Sequence, residues 1–267
     1  MAGMITRREW LAVAAASAAS AQPRTPASGK PNVVLILADD LGCHDLGCLG
    51  AGDLKTPHID ALAAEGTRFT NWYAAAPVCA PSRASLLTGR YPIRCGVPDN
   101  GPPLAPSEQT IAQVVKGAGY ATGIFGKWHL GATPETDPNG HGFDRFFGFH
   151  SGCIDFYSHR YYWGEPRLAN YHDLWRDRTE IFEDGQYTTE MFAREAVAFI
   201  REHRADPFFC YLPFNAVHYP IHAPRKYVER FADLAPERRM YAAMLSALDD
   251  GVGQVVQTLR ELRLLDH

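Results

Sequence analysis

The chain has 267 residues, of which 46% are hydrophobic and 21% are charged, and its net charge is −4. This composition is ordinary for a globular protein with a sizeable core. The small negative charge excludes a global basic field for nucleic acid or a membrane surface, so any anion must be recognised by a few placed cations.

The N-terminus has the order of an export signal. The pair Arg7 and Arg8 resembles a twin-arginine motif, and a short apolar run then leads to a small-residue cleavage site at Ala19-Ser20-Ala21. The apolar run is too short to cross a bilayer, which needs about 20 apolar residues. We therefore predict a twin-arginine-type signal peptide over residues 1–21 and a linker over 22–30. The protein would be periplasmic or extracellular, without a stable membrane span; a disordered basic N-terminus is the alternative.

Apolar runs and amphipathic segments alternate along the rest of the chain. Continuous apolar runs, typical of strands buried in a parallel sheet, predict strands over 32–38, 120–125 and 207–214. A shorter strand is predicted over 67–73, and 132–180 is predicted to be an extended loop region. Caps and apolar spacing predict helices over 56–66, 79–88, 109–117, 188–203 and 241–265. This alternation predicts an α/β fold with a mainly parallel sheet.

The stretch from 79 to 90 places a cysteine at a predicted helix N-terminus. Pro81 suits the first turn of that helix and Gly89 suits its end. A helix N-terminus lowers the pKa of a thiol and binds anions, and Arg83 adds a fixed positive charge one turn from Cys79. The pattern indicates a nucleophile beside an anion site; the alternative is a buried structural cysteine.

Two adjacent carboxylates, Asp39 and Asp40, follow the first predicted strand. Ligands of open α/β sheets bind beyond the carboxyl ends of the strands. Two like charges so close raise each other's pKa unless a cation joins them, and a hard divalent ion such as Ca²⁺ or Mg²⁺ is the natural partner. The alternative is a solvent-facing acidic turn or a helix cap.

Three further polar side chains follow the other predicted strands. Lys127 and His129 are two apart in a segment predicted to be extended, so both should point to one face. Lysine supplies a point charge for an anion, and histidine exchanges a proton near neutral pH. His218 and His222 have the spacing of a helical zinc pair, but Pro220 breaks that helix. Taken alone, a lysine is more often a surface residue, and a histidine more often has a structural role.

Together these segments resemble the type I, formylglycine-dependent sulfatases of the alkaline phosphatase superfamily. The matching stretches are Cys-Ala-Pro-Ser-Arg with Leu-Thr-Gly-Arg, Ala-Asp-Asp-Leu-Gly and Gly-Lys-Trp-His-Leu-Gly, and the resemblance covers about 31–267. It implies an alkaline-phosphatase-like α/β/α sandwich with a mainly parallel central sheet. No strand follows the last predicted helix, so we expect a chain truncated at the C-terminus. It would lack an Asp-Asn or Asp-His pair and a further sulfate-binding lysine.

The resemblance also implies a reaction, the hydrolysis of sulfate monoesters of small molecules or glycans. Position 79 would become formylglycine through a formylglycine-generating or equivalent maturation enzyme. A divalent metal, Ca²⁺ favoured over Mg²⁺, would join the site. The implied catalytic residues are Cys79, Arg83 and His129, the implied sulfate-binding residues are Lys127 and His218, and the implied metal ligands are Asp39, Asp40 and Cys79.

Three other functions stay open at this point. A phosphate or phosphonate monoester hydrolase of the same superfamily would use the same metal and a similar nucleophile. A hydrolase could use the unmodified thiol of Cys79, and an inactive truncated chain could bind sulfate esters without turnover. The aromatic and basic segment 157–178 either lines a sugar pocket or packs as an ordinary loop, and we prefer the second reading.

Overall fold

A six-stranded mixed sheet forms the centre of the structure, a computed structural model that describes residues 29–162 and 170–266. The strands are β1 Val33–Leu37, β2 Ala121–Lys127, β3 Arg145–Phe149, β4 Trp175–Arg176, β5 Thr179–Glu180 and β6 Phe208–Pro213. Their order is β1-β6-β2-β3-β4-β5; the first four strands pair in parallel, and β4 pairs antiparallel with both β3 and β5. The predicted signal peptide and residues 22–28 of the linker lie outside the described residues.

Helices cover both faces of the sheet. They are α1 Pro57–Glu65, α2 Cys79–Thr88, α3 Ile111–Gly117, α4 Thr188–Glu202, α5 Arg225–Val228 and α6 Pro236–Glu261, with short 3₁₀ turns at Gly47–Leu49 and Glu229–Phe231. Within the described ranges, no helix is both long and apolar enough to span a bilayer.

The alternating side chains of β6 show that the fold has three layers. Phe208, Cys210 and Leu212 join the apolar core that contains α4 and α6. Phe209 and Tyr211 point the other way and join the core that contains α2 and α3. Successive side chains of a strand point to opposite faces, so one strand contributes to two cores. The predicted α/β/α sandwich with a mainly parallel sheet is confirmed.

The strand predictions differ from the structure in three places. β1 forms where it was expected, but it lies at one edge of the described sheet and is only partly buried, whereas β6 is buried throughout. The strand expected over 67–73 is wrong: its aromatic residues Phe69, Trp72 and Tyr73 stand exposed and pair with no strand among the described residues. The expected loop region 132–180 contains β3, β4 and β5.

The helix predictions are correct apart from some of their ends. The longest described helix, α6, begins at Pro236 and ends at Glu261, so it starts and stops earlier than the predicted 241–265. Helix α1 follows Thr56 as expected, but the threonine side chain does not cap it. Its first free N–H groups, those of His58 and Ile59, instead donate to the buried carboxylate of Asp249 at 3.2 and 2.8 Å. Helix α6 therefore caps α1.

Candidate active site

The candidate site lies at the carboxyl ends of three neighbouring parallel strands. Asp39 follows β1, Lys127 is the last residue of β2, and His218 follows β6. Parallel strands end at the same edge of a sheet, so these side chains meet. Helix α2 begins at this edge with Cys79, whose Sγ lies 3.9 Å from Oδ1 of Asp39.

Asp39 is a buried carboxylate held between two cations. Its side chain is 7% exposed; Nζ of Lys127 lies 2.6 Å from Oδ2, and a guanidinium nitrogen of Arg83 lies 3.1 Å from Oδ1. Burial alone would raise the pKa of Asp39, but the charges of Arg83 and Lys127 lower it to about 2. The carboxylate is therefore ionised at neutral pH, as a hard metal ion requires.

Arg83 organises this group from inside the fold. Its guanidinium is 2% exposed, and it also donates a hydrogen bond to the backbone carbonyl of Lys127 at 3.0 Å. It therefore holds both Asp39 and the strand end that carries Lys127. The sequence predicted a catalytic role for Arg83, and the structure places it beside Asp39 rather than on an open surface.

His218 connects the two carboxylates to the thiol. Its Nε2 lies 3.6 Å from Oδ2 of the exposed Asp40, and its Nδ1 lies 2.6 Å from the carbonyl of Tyr219. Burial alone would lower the pKa of His218, but hydrogen bonds to Cys153 and Cys79 raise it to about 10. The imidazole is a cation at neutral pH, which suits the predicted role in binding an anion.

The protonation state of His129 is opposite to that of His218. Burial, followed by the charges of Lys127 and Arg83, lowers its pKa to about 3, so the imidazole is neutral at pH 7. Its buried Nδ1 has no hydrogen-bond partner within 29–162 and 170–266. The sequence predicts Lys127 and His129 on one face of an extended segment, but the backbone is not extended at His129, which has a φ of 60°.

The thiol of Cys79 is activated by its neighbours. Burial alone would raise its pKa, but a hydrogen bond from His218 and the charge of Lys127 lower it below the ordinary value. The sequence predicted this direction from the helix N-terminus. One N–H of that helix end, from Ala80, is already occupied by the side chain of Asn100 at 2.9 Å.

The residues around Asp39 fit a divalent metal. One ligand atom from each of Asp39, Cys79 and His218 lies within 4.8 Å of the other two. The protonated His218 has no lone pair to give a metal, so Asp39 and Cys79 are the ligand candidates of this group. Asp40 adds a second carboxylate next to His218. Ionised carboxylates are the ligands that hard divalent cations prefer, so Asp39 and the neighbouring Asp40 would be the oxygen donors to such an ion.

A cavity of about 290 Å³ opens beside the thiol. Three of its lining residues were expected, and the rest were not; the full lining is Cys79, Asn100, His129, Gly152, Cys153, Tyr161, His218 and Tyr219. The turn at Asn100 and the lone Cys153 carry no pattern that marks a site. Tyr161 belongs to the segment preferred as an ordinary loop; it stacks on Tyr171 and also lines this cavity.

Two basic residues of the same segment pair with carboxylates away from the cavity. Arg176 pairs with Glu195 on α4, and Arg178 pairs with Asp137. Trp163 and Arg167 lie outside the described residues.

Comparisons with known proteins agree with this geometry. The Sulfatase family model matches residues 31–267. The N-acetylgalactosamine-6-sulfatase of Sus scrofa is 36% identical over 263 residues, which are 90% of this chain and 49% of that protein. Arylsulfatase J of Mus musculus is 36% identical over 247 residues, 88% of this chain and 41% of that protein. The chain thus spans about half the length of these relatives, or somewhat less.

A solved structure is similar over most of the chain. The crystal structure of Ps i-CgsB in complex with k-i-k-neocarrahexaose superposes with a TM-score of 0.83 at 37% identity, covering 89% of this chain and 56% of that one.

Proposed function

Because this chain belongs to the sulfatase family, we propose that it hydrolyses sulfate monoesters at the site around Cys79. One observation carries the proposal: a nucleophilic position, Cys79, stands at a helix start 3.9 Å from a buried carboxylate, with Lys127 and His218 supplying positive charge beside it. This arrangement suits a negatively charged ester attacked by a nucleophile.

The three cations of the site divide two tasks between them in this proposal. Lys127 and His218 bind the sulfate oxygens and stabilise the negative charge that develops there in the transition state. Arg83 acts through its neighbours, because it contacts Asp39 and the backbone of Lys127 and so fixes their positions. Placed charges of this kind need no reorganisation during the reaction.

The proposal includes formylglycine at position 79 and a divalent cation, with Ca²⁺ favoured over Mg²⁺. One hydroxyl of the formylglycine hydrate would attack sulfur and displace the alcohol, and deprotonation of the second would then expel sulfate and restore the aldehyde. Asp39 and Asp40 would hold the cation, whose positive charge would make the attacking hydroxyl more acidic. His129 lines the same cavity as a neutral imidazole, so we assign it to accept the proton in the release step.

Mass spectrometry and one pair of variants test the nucleophile. In protein made with a formylglycine-generating system, the tryptic peptide that contains Cys79 should have the mass of the aldehyde. Cys79→Ala should abolish turnover of an aryl sulfate, whereas Cys48→Ala, away from the site, should leave it unchanged. Wild-type turnover from a chain with an unmodified Cys79 would favour the thiol mechanism. Faster turnover of an aryl phosphate would favour a phosphate or phosphonate ester as substrate.

Sulfated glycans are the substrate class that we propose. Tyr161 and Tyr219 line the cavity next to Cys79 and offer apolar faces to a sugar ring. The name of one relative, N-acetylgalactosamine-6-sulfatase, refers to a sulfated sugar, and the Ps i-CgsB structure holds an oligosaccharide. A screen of sulfated sugars against a plain aryl sulfate tests the idea; preference for the aryl ester over every sugar would contradict it.

We also propose that the protein is exported by the twin-arginine route, which the Arg7-Arg8 pair and the following apolar run support. Replacing both arginines by lysine should leave the precursor in the cytoplasm, and the mature N-terminus should lie near Gln22. Cell fractionation and N-terminal sequencing measure both outcomes. Undiminished export of the double variant would contradict this route.

A further inference from the structure

Two buried histidines lie close together in a part of the fold that the proposed reaction does not use. His159 is 0% exposed and His172 is 8% exposed, and their ring centroids are 6.0 Å apart at an angle of 80°. Buried ring nitrogens normally have hydrogen-bond partners, so the partners of these two histidines need to be identified.

Each of the two rings has one nitrogen engaged and one nitrogen left over. Nε2 of His159 lies 3.0 Å from the carbonyl oxygen of Gln186, which accepts only, so this nitrogen carries the proton. Nδ1 of His172 lies 3.1 Å from the carboxylate of Glu180 and carries its proton for the same reason. The remaining nitrogens, Nδ1 of His159 and Nε2 of His172, therefore have free lone pairs. Both are buried and without a hydrogen-bond partner among the residues that the structure describes.

A carboxylate completes the group. His159, His172 and the exposed Asp184 can each offer one ligand atom such that the three atoms lie within 4.8 Å of one another. We propose that these three residues bind a divalent metal ion of borderline softness, with Zn²⁺ the fitting species and a water molecule as fourth ligand. Two imidazoles and one carboxylate form a ligand set that Zn²⁺ accepts.

The surroundings of the two histidines have the pattern that metal ligands show. A metal-binding histidine almost always donates its second N–H to a carboxylate or a backbone carbonyl, which fixes the ring and its tautomer. Glu180 and the carbonyl of Gln186 are such acceptors. Two atoms bound to one tetrahedral zinc ion at ~2.1 Å lie ~3.4 Å apart, so ligand atoms that now lie within 4.8 Å of one another would have to close by up to ~1.4 Å.

This metal would hold together the wall of the substrate cavity. His159 and His172 flank Tyr161 and Tyr171, whose rings stack at 5.1 Å, and Tyr161 lines the cavity beside Cys79. Asp184 comes from the turn that leads into α4. The ion would therefore join three separate stretches of chain behind that wall, in a structural rather than a catalytic role.

The test measures Zn²⁺ binding directly. The Cys79→Ala protein is stripped with a chelator and titrated with Zn²⁺ against a chromophoric chelator. This background weakens the site around Asp39, so the one tight equivalent expected belongs to the His159 group. Adding His172→Gln should remove that equivalent. Adding Glu180→Gln should weaken it by ~10–100-fold, because the second N–H of His172 loses its acceptor.

Controls separate this site from the rest of the molecule and from misfolding. Asp184 is exposed, so Asp184→Asn should fold normally and still bind Zn²⁺ more weakly than the parent, while Asp206→Asn, another exposed carboxylate, should bind as the parent does. In the protein with Cys79 intact, Co²⁺ at the His159 group should show no thiolate charge-transfer band. No tight Zn²⁺ in the Cys79→Ala protein, or equal affinity in Asp184→Asn and the parent, would overturn the proposal and leave a buried water as the occupant.

Discussion

At the scale of single residues, the site depends on one buried carboxylate. Asp39 pairs with Arg83 and Lys127 on its two oxygens and lies next to Cys79. Every charged member of this group could be predicted from sequence, because each lies at a strand end or a helix start within a distinctive stretch. Asn100 and Cys153 could not, because only the folded chain brings them to the cavity.

Arg83→Ala is expected to destabilise the fold strongly. The change leaves the buried charge of Asp39 with one partner instead of two, and breaking a buried ion pair costs about 3–5 kcal/mol. Urea unfolding followed by circular dichroism measures the loss. Arg90→Ala, in the same sequence stretch, removes an ion pair with Glu108 whose arginine is 49% exposed, and it should cost about 0–1 kcal/mol. Equal losses for the two variants would show that Arg83 is not needed to balance Asp39.

At the scale of elements, strand ends place the functional groups, and the close approach of β2 to β6 depends on a glycine. Gly126 precedes Lys127 and has a φ of 137°, and a Cβ at this position would lie 2.0 Å from the carbonyl oxygen of Pro213 on β6. A side chain here would clash with the backbone of the neighbouring strand. Gly126 is thus required by the packing of the two strands, and Lys127 by the chemistry of the site.

Gly126→Ala should therefore destabilise the protein and displace Lys127. Overpacking and backbone strain each cost about 1–3 kcal/mol, and the two effects act together here. Chemical unfolding gives the stability, and lower affinity for inorganic sulfate reports the moved lysine. The matched change Gly117→Ala, at the end of α3, adds a methyl group that would meet no described atom within 4 Å, so it should be neutral or slightly stabilising. An unaltered Gly126→Ala protein would contradict the clash.

The elements also show where sequence patterns stop being informative. Long apolar runs predict β1, β2 and β6 correctly, because burial in a sheet demands such runs. The short strand β3 escapes prediction because its five residues lie in a segment rich in glycine and histidine. The run 67–73 gives the opposite error, a strand predicted where none forms. Its aromatic residues favour a strand, but it pairs with no strand in the described part of the chain.

At the scale of the whole molecule, strand order could not be predicted from the sequence. β6, the last described strand along the chain, lies between β1 and β2, so the sheet brings Asp39, Lys127 and His218 together only through contacts distant in sequence. Periodicity reports which face of an element is buried but not which strand lies beside it. The α/β class could be predicted from the sequence, but which strands lie beside each other in the sheet could not.

Whole-molecule stability should fall as the pH drops below about 6.5, and His141 should account for part of the loss. His141 is fully buried, bonded to the carbonyl of Leu104 and packed near Trp128, and burial lowers its pKa. The unfolded chain therefore takes up a proton that the folded one does not, so the stability that this residue contributes is present above the pKa of the unfolded chain and lost below it. One such proton contributes at most about 1.4 kcal/mol per pH unit.

This pH dependence is tested by measuring the free energy of unfolding from about pH 7.5 to about pH 5, on either side of the ordinary histidine pKa. His141→Gln should flatten the slope even though it lowers stability overall, while His44→Gln, at an exposed position, should leave the slope as it is. The same slope in the wild type and His141→Gln would assign the pH dependence to other buried histidines.

The burial of α2 has a consequence for the order of events in the cell. Six of its ten residues are buried, among them Pro81 and Arg83 of the stretch that a maturation enzyme would have to read. If position 79 is converted as proposed, folding hides the recognition sequence, so conversion and folding compete in time. A route that exports folded proteins would then require conversion to finish before the chain leaves the cytoplasm. The share of protein that is modified would depend on how fast the sheet and α2 close, and a slower-folding variant would be more completely modified than a faster one.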